Sequence, residues 1–476
     1  MVRRRQDRFE LLAIAIFLGV LVALPLVYVA EAPSGPHEPP PPPLGIPVNT
    51  TLGAGGYLGT HYANPFYAVL LADNDLPTAR LQALGAFLNT TPITWFRFGG
   101  NGTSYDPTSG VDYIPPPGGG AYVATPLELW NLTWFKSWCD TRTPHCLWLA
   151  FLPGEVNNSA FALHTAQWYH DDLGLVPEYW QFGNEPTGWT HYGENLSSWS
   201  TGDDATVSDA AYTTMVQDYI SAISAAYPSD RYIALEAACG CNYDLAEATS
   251  AALGPAANVM SFHAFPSASG STTQPSAFLG ALEGATNLTQ SAARFRSALS
   301  AGCPTCSNVA VQIGAYQAGP PGGLSPLQDQ FVGATFLAAS IIQAIEANVS
   351  SFTVYDSDSL YDTLGDAARP QGILYADLLA NMTMGRDYGV NFQDEGVGGV
   401  YGLLVHNGSH QSLLIVNTNS TYELDLTVSN ATFPVGATGS EWSWGPQTAT
   451  PVASRGVLLP SVYAVPAQGM LLLDNY

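Results

Sequence analysis

Between residues 50 and 385, short apolar runs alternate with amphipathic stretches, and this alternation restricts the possible folds more than any other feature of the chain. Residues 94–98, 147–151, 178–182, 232–237, 259–263, 309–313 and 352–355 have the length and composition of buried strands. An earlier run lies near residues 57–61. Helical spacing fills the intervals, at residues 77–88, 127–139, 160–173, 209–227, 292–300 and 328–347. Repetition of strand and helix predicts an α/β fold with parallel strands, and eight strands predict a (β/α)8 TIM barrel. A doubly wound open sheet is the alternative, but no Gly-x-Gly-x-x-Gly phosphate turn supports it. After about residue 387 the helical spacing disappears. Runs at 403–406, 412–417, 422–428, 456–459 and 469–473 then read as short strands of a C-terminal all-β sandwich domain.

The N-terminus has a different character. Arg3, Arg4 and Arg5 precede an apolar run at residues 11–30, about the ~20 residues needed to cross a bilayer. Basic residues before such a run stay inside and send the rest of the chain out. The Ala30-Glu31-Ala32 sequence would allow cleavage, but the apolar core is longer than that of an ordinary signal peptide. The division expected is a basic cytoplasmic segment at 1–10, a transmembrane signal anchor at 11–30 and a Pro-rich stalk at 31–48. The barrel would then span 49–386 and the sandwich 387–476. The membrane is therefore one expected partner, through the N-terminal helix, with the globular domains at the cell surface, or secreted if cleaved near Ala32.

Two further signals agree with an exterior location. Six cysteines fall into the local groups Cys139/Cys146, Cys239/Cys241 and Cys303/Cys306, which outside the cell read as disulfides. Cys139–Cys146 is the safest bridge. Zinc is the rival for Cys303 and Cys306, but no second Cys-x-x-Cys or His pair lies nearby. Asn-x-Ser/Thr sequons recur from Asn49 to Asn430, more often than this composition gives by chance, as in a glycoprotein. Net charge is -25 and Lys136 is the only lysine, which argues against nucleic acid as a partner. No metal or other cofactor is expected.

In a parallel barrel, chemistry is done at the C-terminal tips of the strands. The fourth run ends in Gly183-Asn184-Glu185-Pro186: Gly183 permits a sharp turn and Pro186 cannot continue a ladder, so Asn184 and Glu185 are presented at the tip. The second run ends in Arg97-Phe98-Gly99-Gly100-Asn101, where glycines allow close backbone approach and Arg97 can hold carboxylates. The sixth carries His263, and the eighth ends in Tyr355-Asp356-Ser357-Asp358. Aromatic rings are dense near these tips, Tyr316 and Tyr355 among them, as in sites that stack sugar rings. A bland reading stands beside each of these: a turn with an exposed Glu, a structural Arg or His, a solvated acidic loop, aromatic packing.

Gly183-Asn184-Glu185-Pro186 resembles the acid/base motif of the large barrel clan of retaining glycoside hydrolases. Arg97 to Asn101 and the His263 strand narrow the resemblance to glycoside hydrolase family 79, the heparanase and β-glucuronidase group, which also carries a C-terminal β-sandwich. The resemblance implies Glu185 as general acid/base, Asn184 contacting the hydroxyl beside the reacting carbon, and a uronate-containing glycan as ligand. It also implies a nucleophilic Glu at the end of strand seven. The matching run, Val309 to Pro320, puts Ala315 at that position, and no Asp or Glu occurs between Glu283 and Asp329. A methyl group cannot attack an anomeric carbon, so hydrolysis by the usual double displacement should be lost or fall by orders of magnitude. Three readings remain open: a glycosidase scaffold without its nucleophile that still binds glycans; hydrolysis with a substitute acid, Glu236, Asp356 or Asp358; and a structural cell-surface barrel.

Overall fold

The computed structural model describes residues 44–48, 68–71, 78–98, 105–106, 111–112, 122–123, 126–142, 146–152, 154, 157–188, 207–238, 242–266, 273–284, 287–306, 309–316, 327–354, 359–362, 367–382, 386–389, 399–419, 423–428, 433–434, 436–460 and 462–475. These belong to one compact unit, Pro43–Tyr476. Among them, eight parallel strands close into a barrel: β1 (Ala68–Leu71), β2 (Trp95–Phe98), β3 (Leu147–Leu152), β4 (Tyr179–Phe182), β5 (Tyr232–Ala237), β6 (Val259–Ala264), β7 (Ala310–Tyr316) and β8 (Ser351–Val354). Each strand pairs with the next, and β8 closes the ring on β1 through Thr353↔Ala68 and Val354↔Val69.

Seven of these strands fall on predicted runs. The first does not: β1 begins at Ala68, and residues 57–61 lie outside the described residues. The run Ala-Val-Leu-Leu is too short to show any periodicity. The helices follow the sequence closely where caps are strong. Asn158 and Ser208 accept backbone N–H bonds at the starts of α3 (Ser159–Gln167) and α4 (Asp209–Ala226), satisfying donors that have no partner within the helix.

The barrel lumen is layered. Trp95, Leu149, Tyr179, Ile233 and Val259 plug its N-terminal end, with Trp95 stacked on Tyr179. Two residues on from the plug, β2, β4 and β6 carry polar Arg97, Gln181 and Ser261; Glu236 of β5 comes level with Ser261 across a register shift, and Gln312 lies on β7. Since alternate residues of a strand share a face, these stand above the plug and carry the lumen toward the C-terminal end. The fold therefore seals one end with apolar contact and leaves polar groups under the other.

Beyond the barrel lies a six-stranded antiparallel sheet. Its order is β9 (Arg386–Gly389), β10 (Val400–Asn407), β11 (His410–Asn417), β16 (Met470–Asn475), β13 (Thr438–Trp444) and β14 (Val452–Leu458). A three-stranded sheet joins β12 (Leu424–Val428) to β15 (Val462–Val465) and to Leu44–Val48. Leu413, Ile415, Leu471 and Leu473 of the larger sheet share a buried cluster with Leu424, Leu426, Tyr463 and Val465 of the smaller. The Leu44–Val48 strand corrects the predicted stalk boundary: its last five residues pair in parallel with β12, from Leu44↔Leu424 to Val48↔Val428. Pro47 is tolerated because this strand is at the sheet edge.

Between barrel and sheet runs α8 (Phe331–Glu346), whose residues 332–345 are all buried. A helix apolar on every side must be covered on every side. One side faces barrel residues such as Tyr316, and the other meets the C-terminal sheet, where Phe331 packs edge-on against Trp444 and Thr335 donates to the Gln468 carbonyl. Two predicted bridges are present, Cys139–Cys146 and Cys303–Cys306, the second excluding zinc at that pair. Cys239 and Cys241 lie outside the described residues. So does the predicted anchor at 11–30; among the described residues, no helix is long and apolar enough to cross a membrane.

Candidate active site

β4 ends where Gly183, at φ 68°, turns the chain and passes its N–H to the Leu152 carbonyl of β3. Glu185 follows at φ 51°, a left-handed conformation that costs a non-glycine residue ~1–2 kcal/mol. The turn is fixed because the Glu185 N–H donates to the Glu236 carbonyl of β5 at 3.0 Å. Beneath it, the Tyr212 hydroxyl of α4 sits between the carbonyls of Phe182 and Ala234, holding the ends of β4 and β5 together. Pro186 then opens a short 3-10 turn, Pro186–Gly188. Strain held by surrounding hydrogen bonds is a common property of working sites.

Arg97 organises the site from β2. It is 1% exposed, and each of its three guanidinium nitrogens donates a hydrogen bond. Nε donates to Gln181 Oε1 at 2.8 Å, Nη2 to Asn184 Oδ1 at 2.7 Å and Nη1 to the Gly314 carbonyl at 3.2 Å. Nη2 also lies 3.7 Å from Glu236 Oε1. One cation thus ties together β2, β4, β5 and β7, in the planar geometry that suits Arg and not Lys.

His263, on β6, stands between two carboxylates. Its Nδ1 meets Glu185 Oε1, and its Nε2 lies 2.6 Å from Glu236 Oε1. Burial opposes a charged ring, but Glu236 and Glu185 outweigh it, so the imidazole is held protonated above its ordinary 6.5. Burial would likewise raise the Glu236 carboxyl, yet Arg97 and His263 outweigh it and hold it below 4.5. β7 carries a bulge at this level. Phe262 pairs with Ile313 and His263 with Ala315, leaving Gly314 as the extra residue. A Cβ at Gly314 would lie 1.7 Å from Glu236 Oε1, so the Glu236 carboxylate occupies the space a side chain there would need.

The structure therefore brings together Arg97, Asn184, Glu185, Glu236, His263 and Ala315. It does not bring Tyr316 to them. That ring points outward, between Phe336 and Phe352, with its hydroxyl on Ser340 of α8. The bulge reverses the expected alternation along β7. Asn101, Tyr355, Asp356 and Asp358 lie outside the described residues. Sequence reasoning missed Gln181, Ser261 and Gly314. Gln181 had a visible signal, a lone polar residue inside the buried run Tyr-Trp-Gln-Phe, and Gly314 had another, a lone Gly inside a strand run, which marks a bulge; Ser261 had none. Among the described residues no group of His, Cys, Asp and Glu is placed to hold a metal ion.

A closed parallel barrel with polar groups gathered at the C-terminal end of its strands places them where barrel enzymes carry their sites. Neither a family model nor a curated protein matches the sequence. Solved structures do match in fold. A family 51 α-L-arabinofuranosidase from Bifidobacterium longum is similar at TM-score 0.66 and 12% identity, over 91% of this chain and 99% of that one. A family 44 xyloglucanase from Paenibacillus polymyxa gives 0.62 and 10%, over 88% and 97%. A family 30 endoxylanase from Clostridium papyrosolvens gives 0.56 and 9%, over 90% and 99%. The chain shares the fold of these proteins, a closed parallel barrel with a C-terminal β region, over most of its length.

Proposed function

We propose that this chain engages a glycan in the C-terminal cleft of the barrel, with Glu185 as its acid/base group and with the retaining nucleophile absent at Ala315. The observation that supports this most is the Glu185 turn. A nearly buried carboxylate is held in left-handed backbone at the tip of β4, beside an Asn184 clamped by Arg97. No stability argument calls for that conformation, whereas presenting an acid to a sugar ring does. Retaining hydrolysis needs a second carboxylate ~5–5.5 Å away with a free line of attack. Glu236 is fully buried behind His263 and lacks that line. The double displacement is thereby disabled, and binding becomes the principal activity of the cleft. The family 79 resemblance makes a uronate-containing glycan the first ligand to try, and the glycans named for the structural neighbours, arabinofuranoside and xyloglucan, the next.

The remaining parts of the proposal concern placement. The 11–30 segment anchors the chain in a membrane, with Arg3 to Arg5 inside and the barrel outside. The two C-terminal sheets form the sandwich that accompanies the barrel.

The test is hydrolysis of aryl glycosides, the β-glucuronide and α-L-arabinofuranoside included, by the native chain, by Ala315→Glu, and by the native chain with added azide. Azide can attack the anomeric carbon from the space a carboxylate would fill, giving a glycosyl azide as the aryl oxide leaves. An inert native chain with turnover by the variant or with azide supports the proposal. Turnover by the native chain alone refutes the missing nucleophile and directs attention to Asp356 and Asp358. No turnover in any arm, with no glycan retained on an array, refutes the functional cleft.

A further inference from the structure

We propose that Glu236 is a positioning residue that stores the working proton of Glu185 on His263, supplying from β5 a carboxylate in the space a β7 side chain would fill. This rests on the reading of Glu185 as the acid of the cleft, but its test does not need turnover.

An ionised carboxylate only accepts hydrogen bonds. His263 faces one carboxylate oxygen with each ring nitrogen, so each of the two contacts requires a proton. Two arrangements meet that requirement with the same number of protons. In one, an imidazolium lies between two carboxylates. In the other, a neutral imidazole donates its Nε2–H to Glu236 and accepts at Nδ1 from a protonated Glu185. They differ only in the position of one proton between Glu185 Oε1 and His263 Nδ1. Glu236 stays outside this exchange because the Arg97 guanidinium faces the same Oε1 and outweighs the burial that would otherwise favour its protonation.

The other neighbours of the ring leave that account unchanged. Glu185 comes from the tip of β4, Glu236 from β5, Arg97 reaches the site from β2 through Glu236, and Phe265 meets the ring edge-on. From β7 only Gly314 and Ala315 approach, and neither titrates. The two carboxylates, the imidazolium and the guanidinium sum to zero charge, so the cluster can be buried as a unit. Gly314 is part of the device, since any side chain there would displace the Glu236 carboxylate.

In use, the Nδ1 proton of His263 passes to Glu185 as Glu185 delivers a proton to an oxygen of the bound glycan, so that Glu185 ends as a carboxylate. The ring is left neutral, with Nε2–H on Glu236. A proton returned from water restores the starting state. Glu185 can thus rest as a carboxylate and still deliver a proton, without the apolar surroundings that usually raise a catalytic Glu.

The experiment is ring-nitrogen NMR of the full-length chain labelled with 15N-histidine, with the His263 signals assigned by their loss in His263→Gln. The expected result is a ring protonated on both nitrogens at pH 7. Glu236→Gln should lower its titration midpoint by at least one pH unit, a tenfold loss of proton affinity. Glu185→Gln, the second variant, should lower it as well. A native His263 that is neutral at pH 7 overturns the proposal, whether or not Glu236→Gln folds. So does a midpoint unmoved by Glu236→Gln. A cleft that hydrolyses and binds nothing would refute the glycan reading while leaving this titration as it is.

Discussion

Gly314→Ala is the substitution that tests the site's architecture most directly. The added methyl would stand 1.7 Å from Glu236 Oε1 and 2.5 Å from both Glu236 Cδ and Ser261 Oγ. Non-bonded heavy atoms rest at ~3.5–4 Å, so the carboxylate must retreat by about 2 Å. It has little freedom to do so, because the same oxygen is held 2.6 Å from His263 Nε2 and 3.7 Å from Arg97 Nη2. If the carboxylate gives way, a buried charge loses its partners, at a cost of ~3–5 kcal/mol. If the backbone of β7 gives way instead, overpacking costs ~1–3 kcal/mol. The first outcome is expected, because β7 is pinned at this level by Arg97 on the Gly314 carbonyl. Calorimetric and urea unfolding of Gly314→Ala, Glu236→Ala and the double variant supply the check. Removing the Glu236 carboxylate removes the obstacle, so the double variant should be more stable than the sum of the singles predicts by at least ~2 kcal/mol. A loss under ~1 kcal/mol in Gly314→Ala, with additive singles, would refute the claim that Glu236 fills the β7 space.

Three shorter predictions accompany it. His263 is protonated more readily in the folded chain than at its ordinary 6.5, so its contribution to stability is complete below pH 6.5 and is lost as pH rises through the higher folded value. Glu236 runs the other way: its contribution is present above pH 4.5 and is lost as pH falls through the lowered folded value, so unfolding midpoints should peak between the two limits and flatten in His263→Gln. Arg97→Met should cost ~3–5 kcal/mol by leaving Glu236 buried without its cation, and Arg97→Lys should recover only part of it because one ammonium cannot reach Gln181, Asn184 and Gly314 together. Replacing Cys139 and Cys146 by Ser should cost ~2–3 kcal/mol, the chain-entropy value for so short a loop, measured as a drop in urea midpoint at unchanged slope.

Most of the barrel is legible in the sequence because its strands are buried on both faces and stand out as apolar runs. β5 matches its predicted limits at both ends, Tyr232 and Ala237. β1 is the exception, since four residues carry too little pattern. The C-terminal sheets are less legible. β14 is exposed along most of its length and shows no apolar alternation, so only its end was found. β13, which carries Trp442 and Trp444, and β15 were passed over. The partnership of Leu44–Val48 with β12 joins residues nearly the whole chain apart, and nothing local to either segment encodes it. Glu185, Asn184, Arg97 and His263 were visible because Gly, Pro and polar residues interrupt apolar runs at predictable places. Tyr316 faces away from the site because a single-residue bulge exchanges the two faces of a strand, and the lone Gly314 inside the run is the one residue that signals it.

That bulge is also the step that connects Ala315 to Glu236. With regular alternation, a β7 side chain at position 314 would point into the lumen and β5 would have no room for a carboxylate there. With Gly314 as the extra residue, Glu236 fills the volume from β5, across β6, and Ala315 comes level with His263 as a methyl group. The number of lumen carboxylates near His263 then depends on β5 and not on β7. Ala315→Glu would place a third acid beside Glu185 and Glu236, against one imidazolium and one guanidinium. The site would carry a net negative charge, and one carboxyl would have to rest protonated, as neighbouring carboxylates do when they share a site. Restoring a nucleophile at 315 therefore asks for Glu236→Gln as well. The double variant should turn over aryl glycosides faster than Ala315→Glu alone if charge balance governs this cleft, and no faster if it does not.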